Sequence, residues 1–203
     1  MRGGLALFDE VMIGATTGGV SPLTTGILYC AVIDACMQVF DLRRAAEWTD
    51  ALTGWCEAQP DMVPFRGQCL VHRSQILQAR GEWAEALSEA TSAEARLARS
   101  LHPATGVACY QQGELHRLRG DFEGAERGYR QASENGREPV PGFALLQLAA
   151  GRLEAATATV RRMLDEAHDP PARLAVLPAF VEIALAAGDA DAARVASDEL
   201  AEA

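Results

Sequence analysis

The feature that most constrains this chain is a short turn that recurs along it. The fullest copies have a Gly, an acid, an aromatic residue, and an Ala three places further on. The best copies are Arg80-Gly81-Glu82-Trp83-Ala84-Glu85-Ala86 and Arg119-Gly120-Asp121-Phe122-Glu123-Gly124-Ala125. Looser ones are Phe40-Asp41-Leu42-Arg43-Arg44-Ala45, Gly151-Arg152-Leu153-Glu154-Ala155-Ala156 and Gly188-Asp189-Ala190-Asp191-Ala192-Ala193. Such a Gly ends one helix in the left-handed conformation, and the acid suits the positive N-terminus of the next. The Ala lets the two helices approach. Proline gives independent punctuation at Gln59-Pro60, His102-Pro103, Glu138-Pro139 and Asp169-Pro170, where a second helix must stop. Those prolines are 43, 36 and 31 residues apart, a period near the mid-thirties. A repeat of that length is one helix pair that buries its apolar face only by stacking on neighbours.

The pattern predicts an all-α chain of about five antiparallel pairs in one domain spanning 1–203. The pairs fall near 22–39/42–58, 64–80/83–99, 104–119/122–135, 140–150/153–167 and 171–187/190–202. A leading helix near 4–15 has no partner. The fourth pair has a shortened first helix, and Pro178 predicts a kink or late start in the first helix of the fifth. Composition agrees: 49% of the residues are apolar, only 6% are aromatic, and 38 of the 203 are Ala, which favours closely packed helices over a sheet core.

All 18 basic residues are Arg, so chemistries that need a P-loop, Schiff-base or kinase-type Lys are excluded. A net charge of −10 repels phosphate backbones, so direct nucleic-acid contact is not expected. Phe8-Asp9-Glu10 interrupts any signal-peptide core, and no run of 18 apolar residues offers a membrane span. Five cysteines, an odd number without a C-x-x-C pair, read as reduced thiols of a cytoplasmic protein. No G-x-S-x-G, H-E-x-x-H, EF-hand or G-x-G-x-x-G motif occurs, so no enzyme, cofactor or metal is expected.

The copies resemble the tetratricopeptide repeat (TPR). The third fits best, with Gly113, His116 in an aromatic slot, Gly120-Asp121-Phe122, Ala125, Tyr129 and Ala132; the second offers Ser74, Leu77, Gly81-Glu82-Trp83, Ala86, Ala90 and Ala93. The first departs, with Phe40 where Gly belongs. The resemblance implies a right-handed α-solenoid. Longer stretches resemble the helical-repeat region of actinobacterial LuxR-type transcriptional regulators. They are Tyr29 to Cys36, Phe40 to Ala45, Trp55-Cys56, Pro64 to Arg73, and Tyr110-Gln111-Gln112-Gly113-Glu114-Leu115-His116-Arg117-Leu118-Arg119-Gly120. That resemblance implies a sensor or regulatory segment. The helix-turn-helix that closes such regulators has no counterpart before Ala203, so no DNA contact is carried over.

In TPR folds the first helix of each pair lines a concave groove. The same register here implies a stripe of Cys30, Asp34 and Gln38, then Gln68, Gln75 and Gln78, then Tyr110, Glu114 and Arg117, and finally Glu182. Amides, carboxylates and a Tyr suit a protein or peptide partner's backbone, or a polar small-molecule effector. A merely solvated face is the alternative. Cys69 and His72, at i and i+3, would make half a metal site or a nucleophile–base pair, yet no second pair completes it. They read better as a buried thiol and a hydrogen-bonded His. Trp48 and Trp55, seven apart, suit a core stripe. His102 and His168 read as partners of helix C-termini. The leading helix is expected to expose an apolar face, through which the chain meets another copy or an upstream repeat. Acids and Arg194 solvate the last helix.

Overall fold

The computed structural model describes residues 2–17, 20–59, 63–99 and 102–202. Eleven α-helices and no strand occur among them. They are α1 (Arg2–Thr16), α2 (Pro22–Gln38), α3 (Leu42–Ala58), α4 (Val63–Ala79), α5 (Trp83–Ala98) and α6 (Thr105–Leu118), followed by α7 (Phe122–Glu134), α8 (Gly142–Ala149), α9 (Leu153–Glu166), α10 (Pro170–Ala186) and α11 (Ala190–Glu202). The chain divides into two compact units, Met1–Gln111 and Gln112–Ala203, with the boundary inside α6.

The five repeated turns have one backbone geometry. Gly81, Gly120, Gly151 and Gly188 take φ between 74° and 84°. The residue after each donates its N–H five residues back, as in Glu82 to Leu77 O and Asp121 to His116 O, both at 2.9 Å. Asp41 closes the same loop onto Cys36 O at 2.9 Å, but there the left-handed residue is Phe40, at φ 56°. A bulky residue is strained in that region, and Phe40 is 84% exposed, so no burial offsets it. The side chains of Asp41, Asp121 and Asp189 then accept the N–H of Arg44, Gly124 and Ala192, capping α3, α7 and α11. Glu82 and Arg152 occupy that place without a capping bond. The Ala of every copy (Ala45, Ala86, Ala125, Ala156, Ala193) is buried to 3% or less. That is the close approach of paired helices the pattern requires.

Unit 1 is packed with large side chains. Tyr29 meets Trp48 and Trp55 at ring-centroid distances of 6.2 and 6.1 Å, and Trp55 meets Phe65 at 6.0 Å. Such pairs add ~0.5–1.5 kcal/mol each beyond area burial. Both indoles are half-buried against a cluster that includes Met12, Ile33 and Leu52. Unit 2 is built from smaller residues, with Ala144, Ala156, Val160, Val176, Ala179 and Ile183 at its centre.

Three local readings are corrected. Helix α10 begins at Pro170, capped by Asp169, and runs through Pro178 without a late start. Pro178 lacks an N–H, so it costs a single bond and leaves the helix continuous. The His102 ring serves the start of α6: its Nδ1 accepts the Ala104 N–H at 3.1 Å and the His102 carbonyl accepts from Thr105, while only the backbone N–H meets the end of α5, donating to Leu97 O at 3.2 Å. His72 is buried as expected, but neither ring nitrogen is hydrogen-bonded. Pro60 lies outside the described residues. On the N-terminal helices, Leu7, Val11 and Ile13 of α1 and Leu23 and Ile27 of α2 are exposed.

Candidate functional site

The stripe expected along the first helices falls into two parts, one in each unit. In unit 1 it is built from α2, α4 and the start of α6. On α4, Gln68, His72 and Gln75 lie at helical spacing on one side, away from Arg66, Cys69 and Arg73. Asp34 is exposed on α2, and its Oδ1 lies 3.6 Å from His72 Nδ1. His72 is 6% exposed, and Gln75 Oε1 is likewise buried without a hydrogen-bond partner. Beside them, Gln111 Nε2 donates to Gln78 Oε1 at 2.7 Å. The Cys30 thiol points to Gln68 Oε1 at 3.6 Å. Gln38 is exposed at the end of α2, and Tyr110 is half-buried on α6.

The electrostatics follow from burial. Desolvation pushes the His72 imidazole below its ordinary value, against the pull of Asp34 and Gln75. It pushes the Asp34 carboxyl up, opposed by His72. Burial, assisted by Asp34, pushes the Cys30 thiol up to about 12, so it stays protonated and unreactive. The face thus sets the Asp34 carboxyl above a buried imidazole whose charged form is disfavoured, with a buried amide oxygen alongside. No Arg neutralises Asp34 among the described residues; the ion pairs of Arg44 and Arg73 go to Asp9 and Asp41, and to Glu89.

Unit 2 carries the same register to a different end. Glu114 accepts from Arg117 Nη2 at 2.8 Å and from the Tyr129 hydroxyl of α7. Both partners of the ion pair are largely buried, at 15% and 12% exposure for Arg117 and Glu114. Gly142, at the start of α8, comes against this pair: a Cβ there would collide with the Glu114 carboxylate and lie 2.6 Å from the Tyr129 hydroxyl. Gly113, the residue before Glu114 on α6, has the same office, since its Cβ would sit 2.6 Å from the Tyr129 ring. Two of the implied binding residues, Glu114 and Arg117, thus hold α6, α7 and α8 together. Glu182 is exposed on α10, and no hydrogen bond joins it to them.

Sequence reasoning missed Gln111 and set His72 aside as core. A signal was present. Counting nine residues back from the turn glycines 81, 120 and 151 gives His72, Gln111 and Gly142, one structural position that closes on the stripe in each repeat. The five cysteines are thiols, and all but Cys30 are buried. No group of three metal-ligating side chains occurs among the described residues. Two cavities lie away from the stripe. One of about 340 Å³ sits on the opposite side of α4, against Thr53, Arg66, Arg73 and Arg96. The other, of about 470 Å³, is in unit 2 beside the 135–141 connection, lined by Pro139, Val140, Phe143, Met163 and Val176 with Arg162 at its edge.

No family model and no curated protein matches the chain. Solved structures do. The crystal structure of BtubC (BKLC) from P. vanneervenii superposes with a TM-score of 0.63 at 14% identity, covering 98% of this chain and 88% of that one. A putative kinesin light chain of Podospora anserina, with nearly identical TPR-like repeats, gives a TM-score of 0.52 at 15% identity, over 86% of this chain and 92% of that one. At such identities the likeness speaks for the fold alone. The chain has the all-α, TPR-like solenoid fold of stacked antiparallel helix pairs.

Proposed function

We propose that this chain is a non-catalytic protein-interaction scaffold, and that the α2–α4–α6 face of unit 1 receives an extended segment of a protein or peptide partner. One observation carries the reading. His72 and Gln75 hold buried polar atoms without partners beside an unneutralised carboxylate, and such atoms are costly unless something completes them. Panning a random-peptide display library against the full chain tests it. Binders are expected to lose capture in the Asp34→Ala, Gln75→Ala double variant while its far-UV circular dichroism stays unchanged. Capture retained by that variant contradicts the assignment. Glu114 is unsuited to this test, because its removal unlocks α6 from α7.

The context we propose is the regulatory segment of a LuxR-type regulator, or a stand-alone cytoplasmic relative; its support is the resemblance of the helix sequences. No helix among the described residues is long and apolar enough to cross a membrane. A second reading, a small-molecule effector, is favoured by the unit 2 cavity, whose 470 Å³ suits a compact metabolite. A thermal-shift screen separates the two, since a bound metabolite raises the melting temperature by mass action. Self-association through exposed Leu7, Val11 and Ile13 of α1 is the third element of the proposal. Light scattering at micromolar concentration is expected to show a species above monomer mass, and a clean monomer contradicts it.

A further inference from the structure

We propose that the unit 1 cavity between α3, α4 and α5 binds a compact organic anion, an apolar body carrying a carboxylate or phosphate head. The cavity lies on the side of α4 away from the stripe and stands apart from the peptide face. Arg66 and Arg73 are seven residues apart on α4 and so share one side of that helix, and Arg96 reaches the same space from α5. Among the described residues Glu57 is the one acid in the wall. Glu89 takes part of Arg73, with Nη2 at 3.2 Å from its Oε1. Counting both acids, arginines still outnumber carboxylates there, in a chain whose acids exceed its arginines by ten. Asp50, the next acid along α3, lines an adjoining cavity of about 150 Å³ together with Arg80.

The guanidiniums are not equally spent. Arg66 donates from Nε and Nη2 to the Cys56 carbonyl, at 3.2 and 3.1 Å. That carbonyl belongs to the last turn of α3, so the bonds fix the guanidinium at the wall and leave its charge and its Nη1 unused. Arg96 is exposed, with no ion pair or hydrogen bond among those described. Like charges gathered round one cavity repel, and an anion with two or three acceptor oxygens relieves that repulsion while taking up the remaining N–H groups. The floor calls for an apolar body. Cys56 and Cys69 are each 3% exposed, and Leu70 is half-buried beside them. Burial pushes the Cys56 thiol up to about 11 and raises that of Cys69, so both stay uncharged at neutral pH. Thr53 spends its hydroxyl on the Thr49 carbonyl, at 2.9 Å. Recognition by charge is thus left to the arginines, above a floor of sulfur and carbon. The volume, about 340 Å³, is at the small end of ligand cavities, which begin at ~300 Å³, and suits a single ring with its anionic head.

The test titrates the full chain with phenyl phosphate, benzoate, benzyl alcohol and benzamidine, one ring with an anionic, neutral or cationic head, and with inorganic phosphate alone. Binding is read by ¹H–¹⁵N NMR at the arginine Nε–H signals. An anion is expected to shift Arg66, Arg73 and Arg96 and to bind at least about tenfold more tightly than benzyl alcohol, while benzamidine does not bind. The tighter of the two aromatic anions identifies the head as phosphate or carboxylate. Arg96→Gln should weaken that anion about fivefold, with circular dichroism and the urea midpoint unchanged. Equal binding of benzyl alcohol, or an unchanged affinity in Arg96→Gln, overturns the assignment. Inorganic phosphate binding as tightly as phenyl phosphate overturns the apolar body. Shifts confined to Arg162 would put the anion in the unit 2 cavity and overturn the assignment as well.

Discussion

The two units use the same helical register in opposite ways. Six residues before its turn glycine, α4 carries Gln75 and α6 carries Glu114. In unit 2 that side chain is locked: Glu114 accepts from Arg117 Nη2 and from Tyr129, and Gly142 lets α8 close over them, although Arg117 Nε stays without a partner there, as does Gln147 Oε1 on α8. In unit 1 it is left open, with Gln75 Oε1 and both nitrogens of His72 lacking partners. The difference lies in what the rest of each repeat supplies. Unit 2 sends a Tyr hydroxyl from the second helix and a Gly from the next first helix. Unit 1 sends only Asp34, a charge that itself needs compensation. A polar stripe is therefore not a binding site by virtue of being polar; what decides is whether the fold has already used it.

The sharpest way to break this contrast is Glu114→Ala. It strands a largely buried guanidinium and a buried Tyr hydroxyl, and is expected to cost about 3 kcal/mol, read as a lowered urea midpoint. An unchanged midpoint would mean that the unit 2 lock is ornamental. Next is Gly142→Ala, whose new Cβ overlaps the Glu114–Tyr129 contact; about 2 kcal/mol should be lost. In unit 1 the sign reverses. His72→Leu replaces two unpaired nitrogens by apolar atoms of similar bulk and should raise stability by about 1.5 kcal/mol, at the expense of partner capture. A destabilised His72→Leu would show that the imidazole is already satisfied.

Phe40→Gly is expected to gain about 1 kcal/mol, because it relieves the left-handed strain of an exposed side chain. Phe40→Ala keeps a Cβ and should gain less. The smallest effect concerns pH. The folded value of His72 lies below its unfolded value near 6.5, so between the two the unfolded chain binds the extra proton. Stability then falls as pH drops from 7 toward 6. Asp34, raised in the folded state, takes up a proton before its unfolded counterpart at lower pH and opposes the loss. Denaturant titrations across this range should show a slope in the natural protein that His72→Leu flattens.

The repeat was legible in the sequence because its determinants are local. A Gly that must take positive φ, an Asp that caps, and an Ala that must be buried stand within six residues of one another. The departures were readable in kind: Phe40 breaks the glycine position, and the structure places it at φ 56°. Pro178 does not delay α10, because one missing N–H inside a 17-residue helix is tolerated when the rest of the ladder persists. That Gln68, His72 and Gln75 share one helical face follows from counting alone, but the state of each side chain does not. Glu114 is consumed by Tyr129, fifteen residues away, and His72 stands open to Asp34, thirty-eight away. Those pairings depend on how successive helices pack, which periodicity within one helix does not encode.

The most direct test of the central claim is an NMR footprint of the full chain with a display-selected peptide. The account predicts shifts at Asp34, His72, Gln75, Gln78 and Gln111, with Glu114, Arg117 and Tyr129 unmoved. Shifts confined to the Glu114–Tyr129 network, with His72 and Gln75 silent, would contradict it.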